Sequence, residues 1–156
     1  MSETGGTILQ LDTKYFGRID YRPEDVLSFP NGLFGFENER EFLLLPFAGS
    51  EETLLCLQSV NAPSPAFIAM NPFSLNPQYA PQLSAEELQL MGVTQSEELC
   101  YYVMCVVKNP VGASTVNFRC PVVINPDLRR GMQVILDTDA YHMRHRLDEC
   151  SPKEVK

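Results

Sequence analysis

Apolar residues in this chain occur in short runs that proline, glycine and asparagine repeatedly interrupt, and that punctuation constrains the fold more than any other feature. Twelve prolines and nine glycines supply most of the breaks. Short apolar runs between turn formers mark an all-β domain rather than an alternating strand and helix order. The runs predict strands over residues 15–21, 42–46, 54–60, 66–70, 100–108, 115–124 and 133–136. From Tyr101 to Val107 the apolar residues are continuous, so both faces of that strand should be covered, as in a closed barrel or sandwich interior. No internal repeat or low-complexity segment is visible.

One helix is specified by its ends. Ser84 precedes Ala85-Glu86-Glu87, so its hydroxyl can accept from the Glu87 backbone N–H while the Glu87 carboxylate reaches back, a capping box with Leu83 and Leu88 as the staple. Gly92 supplies a left-handed stop. The predicted helix, 84–91, is about two turns and needs Leu88 and Met91 packed against a sheet to persist. A second capping pattern predicts one further turn at 94–97.

At 156 residues and 44% hydrophobic content, the chain is expected to form one domain, 1–156, with a single core. Residues 1–6 and 151–156 are expected to fray. No apolar run approaches the roughly 18 residues that span a bilayer, and the first residues lack the features of a signal peptide. A cytoplasmic location without a membrane partner is therefore expected. Cys56, Cys100, Cys105, Cys120 and Cys150 make an odd count without tight spacing, which suits reduced thiols.

The net charge of −8 is unevenly placed. Residues 1–22 carry three acids and three bases, 23–107 carry eleven acids against Arg40 alone, and 108–156 carry six acids against eight bases. The acidic central stretch would repel a nucleic-acid backbone, so no direct nucleic-acid binding is expected. It suits either a basic protein partner or simple solubility.

Catalytic constellations are lacking. His142 and His145, with Asp137 and Asp139, have the residue types of a metal site, but Arg144 and Arg146 would bring positive charge beside the cation. The aspartates equally suit a turn, and neither a metal nor another cofactor is expected. Cys100 and Cys105 are separated by an odd number of positions, so in one strand they face opposite ways and cannot share a zinc ion. No G-x-S-x-G elbow occurs, Gly112-Ala113-Ser114 lacks its strand, turn and helix context, and no P-loop lysine follows the glycines. Cys150 near the histidines reads as a tail cysteine rather than a nucleophile. The chain is not expected to be an enzyme.

In FPNGLFGFE, 29–37, Pro30-Asn31-Gly32 is turn chemistry. Phe34 and Phe36 alternate, which would set them on one side of an extended strip that runs into Glu37, Glu39 and Glu41. They form either an exposed aromatic and acidic contact surface or plugs for the end of a barrel.

These segments, with TKYFGRI at 13–19, LQSV at 57–60, PAFIAMNPF at 65–73 and the stretch from Asn117 to Leu147, resemble the FliW flagellar assembly factor family in order and spacing. The resemblance implies a mostly β fold: a single small closed or partly closed antiparallel β-barrel-like domain with one or two short helices. It also implies a non-enzymatic cytoplasmic factor, monomeric when free, with two partners, newly made flagellin and the translational regulator CsrA. When flagellin occupies such a factor, CsrA is free to repress flagellin translation; once flagellin is exported, the factor antagonises CsrA. The chain departs from the family in having Phe34 and His142 where proline is frequent, and Cys56 where a bulky aromatic is frequent.

CsrA has a basic surface, and Glu37, Glu39 and Glu41 are the first candidates to meet it. Flagellin ends are amphipathic helices, so masking them requires an apolar groove, for which Phe34, Phe36, Phe73 and Tyr79 are candidates because they flank predicted loops. The alternative is a small-ligand-binding β-barrel without a regulatory partner, which needs a mostly apolar cavity with a few converging polar groups.

Overall fold

The structure, a computed structural model, describes residues 7–49 and 53–150, so the expected fraying of 1–6 and 151–156 lies outside the described residues. Strands β1 (Leu9–Asp12) and β2 (Arg18–Tyr21) form an antiparallel hairpin of their own. The remaining strands are β3 (Leu27–Ser28), β4 (Glu41–Pro46), β5 (Leu54–Ser59), β6 (Ala66–Met70), β7 (Cys100–Val106), β8 (Thr115–Val116), β9 (Val122–Asn125), β10 (Arg130–Gln133) and β11 (His145–Arg146). They make one sheet in the order β11-β8-β7-β6-β5-β4-β3-β10-β9, and β7 pairs back onto β9. That pairing closes seven strands into a barrel and leaves β8 and β11 as an extension beyond the closure. Pairings are antiparallel except the short contact between β3 and β10, which is parallel through Ser28 and Arg130.

Two strand expectations are corrected by turn chemistry. The first begins at Arg18 rather than residue 15, because Gly17 takes φ +68° and the Thr13 hydroxyl accepts from Phe16 N–H and donates to the Gly17 carbonyl. The stretch 115–124 splits into β8 and β9, although both lie along β7. Cys105 faces Val116 and Tyr102 faces Val122, so three steps along β7 match six on the other strand, and three residues bulge out. The Asn117 carboxamide oxygen holds the bulge by accepting from the N–H groups of Arg119 and Cys120. The last ladder is Arg130–Gln133 rather than 133–136, yet Val134 and Leu136 stay buried and donate to the carbonyls of Pro121 and Arg119.

Two cores share a wall. Inside the barrel, Phe29, Leu33, Phe42, Leu57, Val122 and Ile124 pack with Tyr102, Met104 and Cys100. Outside it, Tyr101, Val103, Cys105 and Val123 pack with Tyr79, Leu83, Met91 and Phe118. β7 is therefore covered on both faces over its first part, while Val106 and Val107 at its far end are exposed. Cys100 and Cys105 do face opposite cores. Cys56, Cys100 and Cys120 are free thiols, and burial pushes Cys56, which is fully enclosed, up to about 11.

Among the described residues three short α-helices attach to the sheet: α1 (Pro72–Leu75), α2 (Ala85–Met91) and α3 (Leu147–Cys150). At α2 the capping box is formed, with Ser84 Oγ accepting from Glu87 N–H at 3.1 Å and Glu87 Oε1 accepting from Ser84 N–H at 2.9 Å. Gly92 ends the helix at φ +76°. Asn125 and Arg130 side chains donate to the carbonyls of Met91 and Leu90, tying the helix end to the β9–β10 connection. The second capping pattern is not realised, because Thr94 bonds the Glu98 carboxylate and the turn is a 3-10 one over Ser96–Glu98. Replacing Ser84 by alanine should cost about 1 kcal/mol in chemical denaturation, with Glu87→Ala close behind. Unchanged stability in both variants would show that packing alone holds α2.

Candidate partner-binding surfaces

The segment from Pro30 to Glu41 is two successive turns leading into β4. Gly32 N–H donates to the Phe29 carbonyl at 2.8 Å, and Leu33 and Phe36 then exchange backbone hydrogen bonds of 3.3 and 2.7 Å around Phe34-Gly35. Gly35 at φ +85° provides the left-handed corner. The extended strip expected for Phe34 and Phe36 is thus replaced by a tight turn. Both rings are accessible, at 48% and 42% exposure, and Phe36 rests edge-on against Phe67, 5.0 Å between centroids. Glu37 accepts from Gly35 N–H, and Glu39 accepts from the buried Ser59 hydroxyl at 2.9 Å. Glu41 is exposed at the start of β4, opposite Ser28. The aromatic pair and the three glutamates therefore share one continuous segment.

Phe73 and Tyr79 meet in a different place, a recess of about 330 Å³ over the outer core that also includes Pro81, Glu97, Leu99 and Tyr101. Phe73 is exposed, held at the start of α1 by Asn71, whose side chain accepts from its N–H. Tyr79 is a core residue rather than a surface aromatic. It is 4% exposed, its hydroxyl donates to the Phe118 carbonyl at 2.7 Å, and its ring packs on Phe118 and Tyr141. Burial, and next the neighbouring Tyr141, raises its hydroxyl well above the tyrosine range, while burial pushes Tyr101 up to about 12. Only the edge of Tyr79 can reach the recess, and Phe73 carries its exposed aromatic area.

His142 and His145 interact with each other. His142 N–H donates to His145 Nε2 at 2.8 Å, the imidazoles stack at 5.4 Å, and His145 lies edge-on to Phe118. Among the described residues no group of three or more His, Cys, Asp or Glu is placed to hold a metal ion. Burial first, then His142, holds His145 below its ordinary 6.5, with Glu149 opposing. Because the unfolded chain takes this proton more readily, the stabilisation is complete above about pH 6.5 and is lost as pH falls through the lower folded value. Melting curves should therefore show Tm falling between roughly pH 7 and 5, with a shallower fall in His145→Asn. An unchanged slope in that variant would assign the effect to other groups.

Sequence reasoning missed a cavity of about 470 Å³ at one mouth of the barrel. Its wall includes the lumen residues Leu27, Leu44, Tyr102 and Ile124, and its rim carries Asp20, Asp25 and Arg129. The signal was unreadable locally because the rim charges come from β2, the turn after it and the β9–β10 connection. No helix among the described residues is long and apolar enough to cross a membrane.

The fold and its surfaces define a class: a small closed β-barrel with short attached helices that displays separate aromatic and charged patches. A family model described as FliW protein matches residues 10–147. The flagellar assembly factor FliW of Geobacillus sp. (strain WCH70) is 37% identical over 139 residues, covering 89% of this chain and 95% of the relative. Its counterpart from Caldanaerobacter subterraneus subsp. tengcongensis is 33% identical over 141 residues, covering 90% and 94%. A crystal structure of the flagellar assembly factor FliW matches with a TM-score of 0.81 at 36% identity, covering 89% of this chain and 96% of that one. This chain belongs to the FliW family of flagellar assembly factors. Its relatives are named as assembly factors rather than as enzymes.

Proposed function

We propose that this protein is a non-enzymatic, cytoplasmic flagellar assembly factor that binds flagellin and antagonises CsrA by partner switching. The observation that carries the reading is the match to FliW over 89% of the chain, with the barrel preserved at a TM-score of 0.81. Flagellin occupies the factor while it accumulates and leaves CsrA free to repress translation; export of flagellin releases the factor, which then holds CsrA. The eleven acids against one base over 23–107 suit a basic regulator, and exposed Phe34, Phe36 and Phe73 suit an amphipathic helix. Calorimetric titration with CsrA, repeated after saturation with flagellin, tests the switch. Binding that flagellin abolishes supports it, and silence with both partners sinks it.

Reversing Glu37, Glu39 and Glu41 together to lysine should weaken CsrA binding roughly tenfold and flatten its salt dependence, because charges at an interface rim act through screened attraction. Equal affinity in a folded triple variant would remove this segment from the footprint. The second reading, a small-ligand barrel, is favoured by one observation, the apolar cavity at the barrel mouth with Asp20, Asp25 and Arg129 at its rim.

A further inference from the structure

The sheet does not end where the barrel closes, and its extension has two unlike faces. Cys105, Val116 and His145 lie opposite one another across β7, β8 and β11 and pack into the outer core. The neighbouring row, Val106, Thr115 and Arg146, points the other way because side chains alternate along a strand. That second face opens on a recess of about 480 Å³ lined by Val106, Lys108, Ala113, Thr115, Arg144 and Arg146. Three of these six are cations, in a protein whose net charge is −8.

The recess has fixed walls. Lys108 N–H donates to the buried Ser114 hydroxyl at 2.8 Å, which pins the loop carrying Lys108. Arg146 is held in a two-point contact with Asp148, at 3.0 and 2.7 Å, so its guanidinium is oriented. Apolar surface lies beside the charge: Val106 is 58% exposed, and Val107, between the lining residues Val106 and Lys108 along the chain, is 61% exposed. Exposed valines beside Lys108 and Arg144, with Arg146 already paired to Asp148, match a ligand that carries carboxylates next to apolar side chains.

We propose that this face of the β7–β8–β11 extension is a docking site for an acidic, valine- or leucine-bearing peptide segment of a partner protein. A nucleic acid fits it less well. The recess offers no aromatic platform for bases, and a densely charged backbone would meet the acidic remainder of the molecule, whereas two or three carboxylates on a peptide would not. The last six residues of this chain, with two lysines and one glutamate, do not complement it either. The site uses the opposite sign of charge from the Glu37, Glu39 and Glu41 segment, so it gives the protein a second surface with a different partner chemistry.

Nitrogen-labelled full-length protein titrated at low salt with a synthetic dodecapeptide of alternating glutamate and valine tests the proposal. Saturable shifts are expected at the amides of 106–108, 113–115 and 144–146, weakened at least about tenfold by Lys108→Glu with Arg144→Glu and strongly reduced at roughly 0.5 M salt. The milder pair Lys108→Gln with Arg144→Gln should give an intermediate loss if the reversal disturbs folding. Absent shifts, equal binding of a lysine–valine peptide, or tighter binding of a short RNA or inorganic phosphate at the same amides would overturn it. Concentration-dependent dimerisation removed by the same reversal would name a second copy as the occupant, and overturn it equally.

Discussion

Gly131→Ala is expected to destabilise the barrel by about 3 kcal/mol, a large effect for the addition of one methyl group. Gly131 lies in β10 opposite Ile124, and a Cβ there would stand 2.4 Å from Phe29 Cζ and 2.6 Å from Cε2. Those distances are far inside van der Waals contact, so something must move. Phe29 cannot swing aside at low cost, since it is fully buried and packed edge-on to Phe42 at 5.3 Å. The strand cannot retreat freely either, because its neighbour on one side is β9 and on the other is the short parallel contact with β3. Chemical denaturation should show the midpoint falling, and adding Phe29→Leu should recover part of the loss by clearing the space. If the second substitution adds its own full cost instead, the collision is not the cause.

A similar loss, about 3 kcal/mol or more, is expected from Gln58→Leu, through unmet hydrogen bonds rather than crowding. Gln58 is fully buried in β5. Its carboxamide oxygen accepts from Lys14 N–H at 3.2 Å, and its nitrogen donates to the carbonyls of Ser59, Ala62 and Pro63 at 3.1, 3.2 and 3.0 Å. One side chain thus ties the β1–β2 hairpin to the barrel and shapes the loop between β5 and β6. Leucine fills much of the volume but removes four hydrogen bonds at once, of which the one to the buried Ser59 carbonyl has least access to water, and each group left without a partner costs about 1–3 kcal/mol before relaxation. Amide exchange at Lys14 should accelerate along with the drop in Tm. Preserved stability with unchanged protection at Lys14 would show that the hairpin is held by its own contacts.

The features legible in the sequence were those decided within a few residues. The Ser84 and Glu87 box, the Gly92 stop and the strands over 42–46, 54–60 and 66–70 depend on local chemistry, and the structure has them. The continuous apolar run from Tyr101 to Val107 implied cover on both faces, which holds from Tyr101 to Cys105 and fails at Val106 and Val107, where the strand runs out past both cores. The division of 115–124 was not legible, since an Asn117 turn inside an apolar stretch leaves the pattern of burial almost intact. Tyr79 beside loop formers looked like a surface aromatic, and only the arrival of Phe118 and Tyr141 from distant sequence makes it core. Of the candidate surfaces, the glutamates and Phe34 and Phe36 were readable as one segment. The recess that unites Lys108 with Arg144 and Arg146 was not, because β8 and β11 bring those residues together across the sheet.

The strand shared by the two cores also limits how a lineage of such proteins can change. Each residue of β7 from Tyr101 to Met104 answers to one interior or the other, so a substitution there trades against stability before it can alter recognition. Drift toward new partners must therefore accumulate elsewhere, in the Phe34 turn, around α1 and along the exposed end of the sheet, where side chains are bound by no such double obligation.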